Sequence, residues 1–172
     1  MKKLRFLLLD TGPILKLFEL GIWDTFIQRY DVSIARTVVE QALYTPDGTQ
    51  HIDLTPYEEK GLIKVIEVDL PVVENFVNQL GAKYKSDIHA GEKETLAFLF
   101  GSSEDWLLCS ADRTVFRVLG LFGKAEQGIS LEEALAKIGL SQNLEWRFTK
   151  CFRLHYAKKG QIDSIQDQDL NR

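Results

Sequence analysis

Phe6-Leu7-Leu8-Leu9-Asp10-Thr11-Gly12-Pro13 runs through four apolar residues to an acid and a turn. An apolar run without alternation suits a strand buried on both faces, as in a parallel sheet covered by helices. Asp10 can cap the next element, and Pro13 suits the start of a helix. Ile14, Leu15, Leu17 and Phe18 supply that helix with a buried side, and Gly21 supplies a stop. The stretch therefore predicts a central strand over 5–9 followed directly by a helix.

The same alternation recurs outward from it. A second short helix is expected over 22–29, with Trp23, Phe26 and Ile27 inward, then a strand at Val32-Ser33-Ile34 and a helix over 36–43. Residues 45–61 are weakly patterned: a turn at 45–49 and one helical turn within 54–61. Residues 62–68 alternate as a strand does. Pro71 opens a helix to Leu80, with Val72, Val73, Phe76, Val77 and Leu80 as its stripe. A helix from about Gly91 buries Leu96, Leu99 and Phe100; Trp106–Ser110 is a strand, and Arg113–Leu119 the helix after it. A final short strand falls within 120–129. Ser130-Leu131-Glu132-Glu133 has the form of a capping box. A last long helix is expected over 144–159, with a polar, frayed tail at 161–172. Alternating strands and helices predict an α/β fold with a parallel sheet.

The chain has 172 residues, enough for one domain with a real core. The expected division is an α/β unit over 1–129 and a helical extension over 130–172 packed on it, with a polar tail. A formal charge of −4 gives no general basic footprint. Cys109 and Cys151 match no zinc spacing and read as reduced packing residues, which favours a cytoplasmic location. The basic start at Lys2-Lys3 resembles a signal-peptide n-region, but the apolar run stops at Asp10. No apolar stretch approaches the ~20 residues that cross a bilayer, so a soluble protein is expected.

Four acids fall where such a fold can gather them. Asp10 and Asp112 lie at or just past strand ends, Glu40 on the helix after the second strand, and Glu92 in the first turn of the Gly91 helix. In parallel α/β sheets, ligands collect outside the carboxyl ends of the strands. Glu92 shares a face with Leu96 and Leu99, whereas Glu94 lies about 200° around the helix. Only one of these two can face the sheet, and Glu92 is preferred. Each acid alone has an ordinary reading: Asp10 and Asp112 as caps, Glu40 as a solvated surface residue, Glu92 as an acid favoured by the helix dipole. Together they repel, at about 4 kcal/mol per pair for ~4 Å and an effective dielectric near 20. A hard divalent cation with oxygen ligands would hold them.

In this order, the motifs Leu7-Leu8-Leu9-Asp10-Thr11-Gly12-Pro13, Gly91-Glu92-Lys93-Glu94-Thr95-Leu96-Ala97 and Leu108-Cys109-Ser110-Ala111-Asp112-Arg113 resemble the PIN domain. The chain is similar to prokaryotic PIN proteins related to VapC-type toxins of toxin–antitoxin pairs. The resemblance covers about residues 5–125 and is weakest around Glu40. It implies a three-layer α/β/α sandwich and a Mg²⁺- or Mn²⁺-dependent ribonuclease. It implies Asp10, Glu40, Glu92 and Asp112 as catalytic, metal-binding acids, with Ser110 and Glu94 in support. It also implies RNA as substrate, an antitoxin protein as partner in the toxin role, and a homodimer. The extra residues at 45–61 and the extension after 130 depart from the compact toxins.

Two other readings compete. A PIN-fold module without catalysis would bind RNA or protein. A haloacid-dehalogenase-type phosphatase also places an Asp after its first strand, but needs a second Asp where this chain has Gly12. His51, His89 and His155 have no metal-ligand spacing, although His89 lies close to Glu92. For substrate contact, Arg147, Lys150, Arg153, Lys158 and Lys159 interleave with Trp146, Phe148, Phe152 and Tyr156, a mix that can track phosphates and stack bases. Its alternative is packing through Leu144, Phe148, Cys151, Phe152 and His155. Lys83, Lys85 and Lys93 are further candidates for phosphate contact.

Overall fold

The structure, a computed structural model, describes all residues except 1, 2, 5, 42, 45, 46, 50 and 167–172. The apolar run forms strand β1 (Phe6–Leu9), followed by helices α1 (Thr11–Glu19) and α2 (Trp23–Arg29). Strand β2 (Asp31–Ala35) leads to a short helix α3 (Arg36–Glu40). Next come β3 (Leu43–Tyr44), β4 (His51–Ile52), α4 (Thr55–Glu59) and β5 (Lys64–Ile66). Helices α5 (Leu70–Asn78), α6 (Ala82–Asp87) and α7 (Ala90–Gly101) precede β6 (Leu107–Cys109) and α8 (Arg113–Leu121). The chain ends with β7 (Gly128–Ile129), α9 (Leu131–Lys137) and α10 (Lys150–Ile165).

Five strands form one wholly parallel sheet in the order β5-β2-β1-β6-β7, flanked by helices. Strands β3 and β4 make a separate antiparallel pair. The side-chain period of two splits the apolar residues between two cores. Leu9, Ile34 and Cys109 face one side, with Ile14, Leu17, Phe26, Leu135 and Phe148. Leu8 and Leu108 face the other, with Phe76, Leu80, Tyr84, Leu96, Leu99, Phe116 and Phe152. Burial on both faces explains why these strands read as unbroken apolar runs.

The chain runs from β1 outward through β2 to β5, then returns to place β6 on the other side of β1. The reversal makes the carboxyl ends of β1 and β6 a topological switch point, where a crevice opens between the divergent connections. Leu9 pairs with Cys109 there, so the residues that follow them, Asp10 and Ser110, start out as neighbours.

Several elements differ from the sequence pattern. Helix α3 ends at Glu40 instead of running to 43, because Gln41 adopts an extended backbone (ψ 142°) and Leu43 enters β3. Part of the turn expected at 45–49 lies outside the described residues. Helix α6 was not expected. The stripe on α5 buries Phe76 and neighbouring Leu80, while Val72 is exposed. The long helix expected over 144–159 is broken: Trp146–Phe148 forms a 3-10 turn, and α10 begins only after Thr149, whose hydroxyl accepts from Phe152 N–H. The helix then continues through Ile165, so 161–165 is ordered helix instead of frayed tail. Cys109 is buried as expected, but Cys151 is exposed and does not pack.

Helix α10 lies against α8 at very short range. A Cβ on Gly160 would run into the carbonyl of Arg117, and one on Gly120 into that of Ala157. Two ion pairs fasten the same seam: Arg117 binds Asp163, which also accepts from the Tyr84 hydroxyl at 2.6 Å. Arg153 grips Glu133 of α9 through two 2.8 Å hydrogen bonds. No helix among the described residues is long and apolar enough to cross a membrane.

Candidate functional site

Asp10 leaves β1 and caps α1: its Oδ1 accepts from Thr11 N–H at 2.8 Å. Its Oδ2 accepts from the Ser110 hydroxyl at 2.8 Å, and that same hydroxyl oxygen accepts from Asp112 N–H at 3.0 Å. Ser110 is fully buried and so ties the ends of β1 and β6 into one unit. Asp112 caps α8, with one oxygen accepting from Thr114 N–H at 2.6 Å. Both aspartates thus serve as caps and as cleft residues, because a cap at a strand-to-helix turn of this fold sits at the crevice.

Glu92 comes from the opposite wall. Its Oε2 accepts from His89 N–H at 2.9 Å, the return half of a capping box at the start of α7. Gly91 lets this helix start close to α3, since a Cβ there would lie 2.7 Å from the Val38 side chain. Asp10, Glu92 and Asp112 line one cleft of about 350 Å³, together with Thr11, Gly12, Leu15, Gln41, His89, Gly91, Ala111 and Arg147.

Glu94 faces elsewhere. Its two oxygens accept from Thr37 N–H at 2.9 Å and Val68 N–H at 3.3 Å. It caps the otherwise uncapped start of α3 and anchors the chain beyond β5, a structural duty away from the cleft. Glu40 is exposed and lines a neighbouring cleft with Arg36, His51, Asp53 and Glu58. The early end of α3 accounts for this placement: the turn to extended backbone carries Gln41, and not Glu40, into the cleft with the three acids.

The electrostatics of the three acids are unresolved by the protein itself. Burial raises the Asp10 carboxyl above its usual range; hydrogen bonds from Thr11 and Ser110 oppose the rise, and the charge of Asp112 adds to it. Glu92 is pushed up to about 7, first by burial and then by the negative charge of Asp10, with Asp112 adding. The charge of His89 opposes the rise at both, and its side chain is largely exposed. Three carboxylates are the hard oxygen donors that Mg²⁺ and Mn²⁺ take. Among the described residues, however, no group of three or more His, Cys, Asp or Glu side chains is drawn together closely enough to hold an ion. The donors have the right chemistry and the charge deficit a cation would relieve.

Sequence reasoning missed Gln41 and singled out Arg147 only as part of a basic, aromatic stretch. Gln41 is hidden by the apolar pattern that carries the expected helix on to Leu43. No family model, curated protein or solved structure matches the chain.

Proposed function

We propose that the protein is a Mg²⁺- or Mn²⁺-dependent endoribonuclease of the PIN-domain kind. The observation that carries this reading is the meeting of Asp10, Glu92 and Asp112 at one cleft on the switch point of a parallel sheet, with Ser110 bridging the two aspartates. The charge of Asp112 raises Asp10, and those of Asp10 and Asp112 raise Glu92, a balance that a counter-ion would relieve; carboxylates select a hard one.

In this reading Asp10, Glu92 and Asp112 hold the cation. A bound Mg²⁺ or Mn²⁺ would make a coordinated water more acidic and would offset charge on the attacked phosphate. The protein's own part is orientation. Ser110 and Thr11 N–H fix both oxygens of Asp10, and Thr114 N–H and His89 N–H each fix one oxygen of Asp112 and Glu92. The remaining oxygen of each of the latter two is left for a ligand. Glu40, in the adjoining cleft, takes no part in this set.

Purified protein should cleave single-stranded RNA with Mn²⁺ and lose that activity in EDTA. Asp10→Asn should lower the rate at least a hundredfold while keeping the cap, since Asn caps a helix as well as Asp does. Equal cleavage with and without metal, or full activity of the variant, contradicts the proposal. Metal-independent RNA binding with no cleavage would support instead a binding module of the same fold without catalysis.

A further inference from the structure

Among the described residues, the cleft carries one permanent cation. Arg147 lines it alongside the three acids, on a 3-10 turn supplied by the C-terminal extension. The turn is held from both sides. Before it, Glu145 accepts from the Lys16 ammonium at 2.8 Å, and Lys16 is buried on α1 next to the cleft residue Leu15. After it, Phe148 is fully buried in the core, and its ring lies 4.7 Å beneath the Arg147 guanidinium. The backbone at 147 is therefore fixed while the side chain stays exposed at the cleft.

The guanidinium is not consumed by the acids it faces. No carboxylate is ion-paired with it among the described residues; its charge is felt by Glu145, which Lys16 already holds, and it is not among the charges acting on Asp10 or Glu92. A guanidinium anchored by its stack on Phe148, with no carboxylate in ion-pair contact, presents a planar fork of donors suited to two phosphate oxygens. A polynucleotide entering this cleft meets the acids that line it, which repel its phosphates, and needs a compensating contact elsewhere on the strand.

We propose that Arg147 is a substrate-binding residue that grips a backbone phosphate of a single-stranded nucleic acid lying in the cleft, leaving a neighbouring phosphate before the acids. The proposal rests on the nuclease reading for the role of the acids, but its test reads binding separately from cleavage. A fluorescently labelled short single-stranded RNA is titrated with D10N protein and with D10N proteins also carrying R147Q or R147K, over a range of salt. Gln at 147 weakens binding about tenfold, the cost of one charge-assisted contact. It also makes the dependence of log K on log salt shallower by about 0.7, the share of one phosphate on a single strand. Lys recovers the salt slope but only part of the affinity. On the otherwise unaltered protein, R147Q raises KM for RNA with kcat within about twofold.

Unchanged affinity and salt slope in R147Q, with an unchanged circular dichroism spectrum, overturn the proposal even if the protein cleaves RNA. Arg147-dependent binding by a protein that cleaves nothing upholds it and removes the nuclease reading instead.

Discussion

Two carboxylates in this molecule, Glu133 and Glu92, are both shielded from water and end up on opposite sides of the usual range. Burial pushes the Glu133 carboxyl up, but Arg153 and the Ser130 hydroxyl and N–H pull it below the ordinary value. Burial also pushes Glu92 up, and there the negative charges of Asp10 and Asp112 add to the rise, so it reaches about 7. The first cluster is closed by ion pairs, Arg153 with Glu133 and, at the neighbouring contact, Arg117 with Asp163. In the second, Asp10, Glu92 and Asp112 line one cleft, and the charge of His89 only partly opposes the rise at Glu92. That difference in charge balance is what the proposed cation site rests on.

The largest break in the comparison comes from unpairing the closed cluster. Arg153→Met should cost about 3 kcal/mol, because it strands Glu133 in a poorly hydrated place. A carboxyl with a lowered folded pKa adds stability above its unfolded value and loses it as pH falls. The penalty should therefore be full at pH 7 and shrink below about pH 4.5, as urea unfolding at both pH values will show.

A smaller effect of opposite sign sharpens it. Glu92→Gln removes a charge that the folded state disfavours, and should stabilise the metal-free protein by about 2 kcal/mol at pH 8. A raised folded pKa means stability that is present below the unfolded value of 4.5 and is lost as pH rises toward about 7. The gain should accordingly vanish near pH 4. Thermal unfolding in EDTA across that range measures it; a loss of stability at pH 8 contradicts the electrostatic account.

The parts of this contrast differ in how far sequence discloses them. Strands β1 and β6 are legible because both faces are buried, leaving apolar runs that end at acids, and the turn geometry of the fold puts such acids at the crevice. The capping box at Ser130 and Glu133 is also legible, since its residues are local. What is not legible depends on distant partners. Helix α10 looks continuous with residues 144–149 because the apolar spacing carries through; the break comes from Lys16 holding Glu145 and from Thr149 capping the new start. Helix α6 is too short and too polar to show a period, with Tyr84 as its buried anchor. Glu94 reads like a site residue, yet its two oxygens serve backbone groups of α3 and the segment after β5, which lie far away in the chain. The same holds for Gln41 and Arg147, brought to the cleft by where a helix stops and where an extension docks.

Isothermal calorimetry of Mn²⁺ binding, on the unaltered protein and on D10N, reaches the central claim most directly. The account predicts saturable binding by the unaltered protein, displaced by EDTA and abolished or weakened more than tenfold in D10N. No saturable heat in the unaltered protein, or equal binding by D10N, would contradict the assignment of the three acids as a cation site.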